Sequence, residues 1–521
     1  MTVDSQQRRE ENANDPSATT RRDFLKKSAM AAASAPLVAG ALGSRAQAEG
    51  EPSDNPPQKP NILIVHSDEF RWDLIGAAGH NPMAITPNLD AMYRRGTVFE
   101  NFITNQPLCS PSRACLWTGQ YATTNGVWKL PGSDNPKVAI NPDAVTLATQ
   151  LRDAGYSTNY IGKWHLAPLP HGAQGEYLGF VPKKYRTGFD DLWQAANVLE
   201  LTSHPYHGTI WDGDGTPMHY KDEYRVDYLT DLTVNFLRKK HDKPFCLVLS
   251  QLEPHQQNDL NGFGPPHGSF KKLQNPYVPP DLKALPGDWP YQLSNYYGDI
   301  TAIDACVGRI FKTLQEEGLE DNTVVVFLSD HGCHFRTRNE EYKRSPHDAS
   351  THVPLMIQGP GFNNSQRIRQ QVNMIDVTPS LLDLVGLKTP SVMQGQSFLP
   401  LMHDLKARDA WRDEVFIQVS ETETARALRT PEWTYVALAP NASPFHDKDS
   451  LHYQDYQLYN NYADPAQVVN LCGRNDPPGL VHFTGDRSMR EITDHLRERL
   501  TERIAEAGEP KPTIKRWTVY A

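Results

Sequence analysis

The stretch Asn61-Ile62-Leu63-Ile64-Val65 is dominated by a continuous apolar run that stops abruptly at Ser67-Asp68-Glu69. An uninterrupted run of this kind predicts a strand covered on both faces, because neither face has to be polar. The design recurs where Phe245 to Leu249 leads into Glu253-Pro254-His255, and where Thr323 to Leu328 leads into Ser329-Asp330-His331-Gly332. Between these runs, apolar residues return at helical spacing over Ala144 to Ala154 and from about Tyr297 to Glu317. Strands alternating with helices predict an α/β fold on a large, mainly parallel sheet flanked by helices. Such a sheet collects its ligands beyond the carboxyl ends of its strands. The acids and histidines that follow the three runs are therefore candidates for one shared site.

Beyond about residue 400 the pattern shortens. Val415 to Val419, Arg426 to Arg429 and Trp433 to Ala437 predict short strands, and Met489 to Ala507 predicts a helix. A smaller α+β domain over 401–521, with an antiparallel sheet, is expected after a larger one over 60–400. Ahead of both, residues 49–59 form a Pro-rich linker. The first 48 residues carry Thr20-Arg21-Arg22-Asp23-Phe24-Leu25-Lys26, an uncharged Ala-rich run from Ser28 to Ser44, and Ala46-Gln47-Ala48. This resembles a twin-arginine export signal with its cleavage site. The apolar run falls short of the ~20 residues of a membrane span, so no stable membrane anchor is expected. A twin-arginine signal implies the export machinery of that name as a partner, and a periplasmic or secreted location after folding in the cytoplasm.

Composition narrows the picture. With 38% apolar and 22% charged residues, 21 Tyr and 10 Trp, the chain has the makings of a folded globular protein. Its formal charge of −10 and the lack of a long Lys/Arg run argue against nucleic acid as a partner. The 6 cysteines, at 109, 115, 246, 306, 333 and 472, show no metal-type pairing. Cys246 and Cys306 sit in apolar surroundings, as small buried hydrophobes do.

One loop is chemically dense: Pro107-Leu108-Cys109-Ser110-Pro111-Ser112-Arg113-Ala114-Cys115-Leu116-Trp117-Thr118-Gly119. Residues after Cys109 read as the first turn of a helix through Trp117, and a helix amino terminus attracts anions. Arg113 offers a planar fork of donors suited to a tetrahedral oxyanion. On these features alone Cys109 is either a functional thiol or a buried structural one.

That string resembles the type I sulfatase signature, built on C-x-P-S-R, and Gly155-Tyr156-Ser157-Thr158-Asn159-Tyr160-Ile161-Gly162-Lys163-Trp164-His165 resembles the family's second signature. The likeness extends from about Pro60 to Cys472 and includes Thr86-Pro87-Asn88-Leu89-Asp90, Val353-Pro354-Leu355, Leu458-Tyr459 and Asp464-Pro465. It implies an alkaline-phosphatase-like fold and a sulfuric ester hydrolase. It implies that a formylglycine-generating enzyme oxidises Cys109 to formylglycine before export. A formylglycine hydrate carries two hydroxyls on one carbon: one attacks sulfur, and deprotonation of the other releases sulfate.

The resemblance assigns Asp68, Glu69, Asp330 and His331, with residue 109, to a divalent metal. Calcium is the ion expected, with Mg2+ or Mn2+ open, because Glu69 stands where Asp is frequent and His331 where Asn is frequent. An imidazole nitrogen suits zinc, manganese or iron better than calcium. Lys163 matches a sulfate-binding lysine, His165 the candidate base, His255 the histidine that helps protonate the leaving oxygen, and Lys343 the lysine between sulfate and leaving group.

A phosphonate or phosphate monoester hydrolase of the same superfamily is the alternative enzyme, and an exported glycan-binding protein the alternative of another class. Export and the many Tyr, Trp, Asn and His residues of the expected loops, with Asn258, Asn261 and His267 in Gln256 to His267, favour a sulfated small molecule or oligosaccharide as substrate. Gly332-Cys333-His334-Phe335-Arg336-Thr337-Arg338 departs from the family's glycine-rich continuation and is expected either to shape a leaving-group subsite or to be a surface loop.

Overall fold

A computed structural model describes residues 59–132, 138–169, 177–471 and 487–516. The export signal, nearly all of the linker and Cys472 lie outside the described residues. In chain order the strands of the larger sheet are β1 (Asn61–Ser67), β2 (Thr97–Ile103), β3 (Ser157–Lys163), β4 (Trp193–Ala196), β5 (Ser203–His204) and β6 (His207–Asp212). They continue with β7 (Pro217–Lys221), β8 (Phe245–Ser250), β9 (Thr323–Ser329), β10 (Leu355–Gln358) and β11 (Arg367–Asn373). Their order is β11-β2-β10-β9-β1-β8-β3-β4-β6-β5, with β7 on β6.

The centre of this sheet is parallel: β1 lies between β8 and β9, and β3 follows β8. Antiparallel pairs are confined to the two flanks, where β10 meets β9 and β2, and β6 meets β4, β5 and β7. Every residue of β1 is buried. Its side chains alternate between the faces, Ile62 and Ile64 joining one apolar cluster and Leu63 and Val65 the other. Full burial of such a side chain contributes ~1.5–3 kcal/mol, so this strand is anchored from both sides. All four central strands end on the same edge, in the residues singled out from the sequence.

Helix boundaries shift for identifiable reasons. The helix expected over Ala144 to Ala154 runs Leu147–Asp153, because the Thr146 hydroxyl accepts from the Thr149 N–H and caps it there. The helix expected from Tyr297 starts at Trp289, with a proline in its first turn where no donor is needed, and runs to Glu316. The helix predicted after Cys109 spans Cys109–Thr118 and stops at Gly119, whose φ of 63° is left-handed.

The smaller sheet comprises β12 (Val415–Val419), β13 (Ala425–Arg429), β14 (Trp433–Leu438), β15 (His452–Asn460) and β16 (Thr513–Lys515), in that order. It is antiparallel except for the last pair. Leu496, Leu500 and Ile504, on one face of the Arg487–Glu506 helix, pack with Phe416, Leu428 and Tyr435. Both sheets belong to one compact unit, Gln58–Ala521. Asn105 joins them, donating from Nδ2 to Phe416 O at 2.9 Å and accepting from Gln418 N–H at 2.7 Å, four residues ahead of Cys109. Among the described residues no helix is long and apolar enough to cross a membrane.

The Gly332–Arg338 segment corrects the sequence reading. Cys333, His334 and Phe335 are wholly buried, the first and third within the core, so this half is not a surface loop. His334 Nε2 instead donates to Lys343 O at 3.0 Å.

Candidate active site

β1, β3, β8 and β9 bring their trailing residues together around Cys109. Gly162 makes the convergence of β3 and β8 feasible: its φ is 105°, and a Cβ there would lie 1.9 Å from Ser250 O. Ser67 Oγ donates to Glu253 O at 2.8 Å, tying the end of β1 to the turn that carries His255. Ser112 Oγ donates to Asp330 O at 2.7 Å, tying the Cys109 helix to the end of β9. Glu69 (φ 72°), His165 (φ 61°) and Arg344 (φ 64°) all adopt left-handed backbone at or beside the cluster. Such residues cost ~1–3 kcal/mol each and gather where function holds them.

Cys109 Sγ, at the first position of its helix, lies 3.3 Å from His331 Nε2, 3.4 Å from Lys343 Nζ, 3.6 Å from Asp68 Oδ1 and 3.8 Å from Lys163 Nζ. Burial pushes the thiol up, but Lys163, Lys343 and His331, with a hydrogen bond from His165, outweigh it and hold the group well below its usual value. An anion at this position is therefore stabilised by its surroundings.

The Arg113 fork turns inward rather than toward an oxyanion. Its Nη2 donates to Asp68 Oδ2 at 3.0 Å and its Nε to Asp330 Oδ2 at 3.1 Å, while Nη1 serves Lys163 O at 2.9 Å and Ser250 Oγ at 2.8 Å. The sequence expectation of a direct oxyanion contact is thus replaced by a bracing role, because four acceptors occupy the donors.

Asp68, Cys109, Asp330 and His331 present ligand atoms within 4.8 Å of one another, as do Asp68, Glu69 and His255. His331 Nδ1 donates to Gly332 O at 3.0 Å, which leaves Nε2 facing the cluster. Burial works against an imidazolium there, yet Asp330 raises His331 to about 9. Burial, with the neighbouring Asp68 charge, raises Asp330 to about 6. Glu69 Oε1 is buried without a hydrogen-bond partner. Three crowded carboxylates, an orphaned oxygen and an aimed imidazole fit a divalent cation, which would relieve the repulsion and fill the vacant acceptor.

The remaining expected residues also arrive here. Lys163 Nζ lies 2.8 Å from Asp68 Oδ2. His165, 3% exposed, has no hydrogen-bond partner on Nδ1. His255 Nδ1 donates to Gln256 O at 2.5 Å, so its Nε2 accepts from Lys343 Nζ at 2.6 Å, and Lys343 also reaches Glu69 Oε2 at 3.2 Å. Glu200 was missed. Its Oε1 lies 3.0 Å from Lys163 Nζ and 3.7 Å from His165 Nδ1. The one signal in the sequence was a single acid inside the apolar run Val198-Leu199-Glu200-Leu201.

Comparison with known proteins gives concordant matches. Residues 60–387 match the family model described as Sulfatase, and residues 341–506 match the one described as N-sulphoglucosamine sulphohydrolase, C-terminal. An ulvan-active sulfatase of Formosa agariphila is 30% identical, with 88% of each chain covered. An endo-4-O-sulfatase of Bacteroides thetaiotaomicron is 27% identical over 80% of this chain and 88% of its own. A solved structure from work on glycosaminoglycan metabolism by the same bacterium superposes with a TM-score of 0.73 at 23% identity, covering 87% of this chain and 97% of its own.

Proposed function

Because the chain belongs to the sulfatase family of the alkaline phosphatase superfamily, we propose that it removes sulfate from a sulfated carbohydrate, with residue 109, converted from cysteine to formylglycine, as nucleophile. The observation that carries this reading is the placement of Cys109 Sγ within 3.8 Å of two ammonium groups, an imidazole and a carboxylate, all buried. An ulvan-active sulfatase and an endo-4-O-sulfatase among the relatives support a polysaccharide or oligosaccharide substrate.

In its converted, hydrated form residue 109 supplies one hydroxyl to attack sulfur and a second whose deprotonation releases sulfate. Asp68, Glu69, Asp330 and His331 would hold a divalent cation, which would supply positive charge to the site; the carboxylates favour Ca2+, and the imidazole leaves Mg2+ or Mn2+ as alternatives. The protein's own groups do the rest. Lys163 and Lys343 hold the sulfate oxygens from two sides, adding fixed positive charge where negative charge develops. His165, buried just past the end of β3 beside Glu200, takes the proton of the hydroxyl. His255 Nε2 and Lys343 Nζ share a proton across 2.6 Å, and this pair delivers it to the departing sugar oxygen. Arg113 keeps Asp68 and Asp330 in place throughout.

The twin-arginine pattern at Thr20 to Lys26 supports action in the periplasm or outside the cell, with the formylglycine-generating enzyme acting earlier in the cytoplasm. A desulfation screen on defined sulfated oligosaccharides, with product mapping, tests the reading. Free sulfate from at least one glycan supports it, and turnover confined to phosphate or phosphonate esters would replace it with the alternative hydrolase.

A further inference from the structure

Glu200 places a negative charge inside a pocket otherwise built to attract anions. It sits in the Leu199–Thr202 turn just after β4 and is 4% exposed. Its carboxylate accepts from Lys163 Nζ through Oε1 at 3.0 Å, and its main chain is held as well: Gln257 Nε2 donates to the Glu200 carbonyl oxygen at 2.7 Å, and Gln257 in turn accepts from Arg225, which is paired with Glu253 at 2.8 Å. Glu200 Oε2 is buried with no hydrogen-bond partner, an arrangement that costs stability on that oxygen. The group is nevertheless ionised: burial raises it, but Lys163 and His165 outweigh burial and bring it down to about 2. Of the two ammonium groups that face Cys109, Lys343 is matched by Glu69 and Lys163 by Glu200 and Asp68.

We infer that Glu200 is a specificity-determining residue that selects the charge of the ester: its fixed carboxylate offsets part of the Lys163 ammonium, so the pocket accepts a monoanionic group and disfavours a dianionic one. A sulfate monoester carries one negative charge. A phosphate monoester has a second pKa near ~6 and carries almost two at neutral pH. A phosphonate monoester carries one. The two phosphorus esters are therefore separated by charge while sharing tetrahedral shape. The inference rests on the hydrolase reading and supplies a physical ground for sulfate over phosphate within it.

The test uses full-length converted enzyme, wild type and Glu200→Gln, on sulfate, phosphate and phosphonate monoesters of one phenol. Gln keeps the hydrogen bond to Lys163 and removes the charge. The phosphate-to-sulfate ratio of kcat/KM should rise about tenfold in Glu200→Gln, given the strength of a unit charge at this range, while the phosphonate-to-sulfate ratio stays within about twofold of wild type. Glu200→Asp, which keeps the charge, should leave both ratios near wild type. Wild type alone gives a second measurement independent of whether the variant folds: its phosphate-to-sulfate ratio should climb as pH falls below ~6 and the phosphate ester becomes a monoanion. Normal sulfate turnover with unshifted ratios in the variant, or a flat ratio in wild type, overturns this inference alone. Absence of turnover on all three esters by converted wild type, together with no sulfate freed from the oligosaccharide panel, overturns the hydrolase reading and this inference with it.

Discussion

Lys343 Nζ lies 2.6 Å from His255 Nε2, and the other ring nitrogen of His255 is committed to Gln256 O. The ammonium is therefore the donor and the imidazole the acceptor in the resting site, and in the proposed mechanism this pair holds the proton for the departing oxygen. His255→Ala should reduce kcat/KM by ~10²–10⁴ for alkyl or sugar sulfates, and far less for aryl sulfates whose leaving group needs no proton. Steady-state kinetics on a series of leaving groups checks this, and an equal loss across the series would remove His255 from the protonation step.

Arg113 and its two carboxylates are entirely buried. Removing one partner of such a group leaves uncompensated charge, typically at ~3–5 kcal/mol. Arg113→Ala should lose about that much in denaturant unfolding. Arg113→Lys should recover only part, because one ammonium cannot reach four acceptors spread over Asp68, Lys163, Ser250 and Asp330.

Chelation should abolish sulfatase activity and lower Tm, since Asp68, Glu69 and Asp330 are then left crowded in a dry site. Re-addition of cation at 100 times its Kd should restore ~2.7 kcal/mol of stability. Metal analysis of purified enzyme, followed by titration with Ca2+, Mg2+ and Mn2+, measures both effects. Full activity and unchanged Tm after complete metal removal would contradict the assigned cluster.

Glu200 also sets an acid limit on stability. Its folded pKa, about 2, is depressed from an ordinary 4.5. Stability from this depression is present above pH 4.5 and is lost as pH falls through about 2. It amounts to roughly 3 kcal/mol at full effect. Glu200→Gln should remove this contribution, so its unfolding free energy should fall less steeply than wild type between those two pH values.

The strand ends were legible in the sequence because continuous apolar runs report burial on both faces, and the polar residues that end them had to meet on one edge. The Cys109 helix was legible down to its glycine stop. What local patterns could not carry was the partner of each polar group. Arg113 finds its carboxylates 45 and 217 residues away, so its inward orientation is a property of the fold alone. Glu200 reads as an isolated acid until β4 is laid beside β3. The burial of Cys333 to Phe335 depends on Tyr296, Phe263 and Tyr342 packing around Phe335, aromatics drawn from three other segments.

The central claim is chemical: residue 109 acts as an oxidised aldehyde rather than as a thiol. Mass spectrometry of the Pro107–Gly119 peptide, taken from enzyme whose sulfate-releasing activity has been measured on the same sample, tests it most directly. The account predicts that the peptide carries formylglycine, that activity scales with the converted fraction, and that Cys109→Ala folds normally without turnover. A fully active preparation carrying only cysteine at 109 would contradict it.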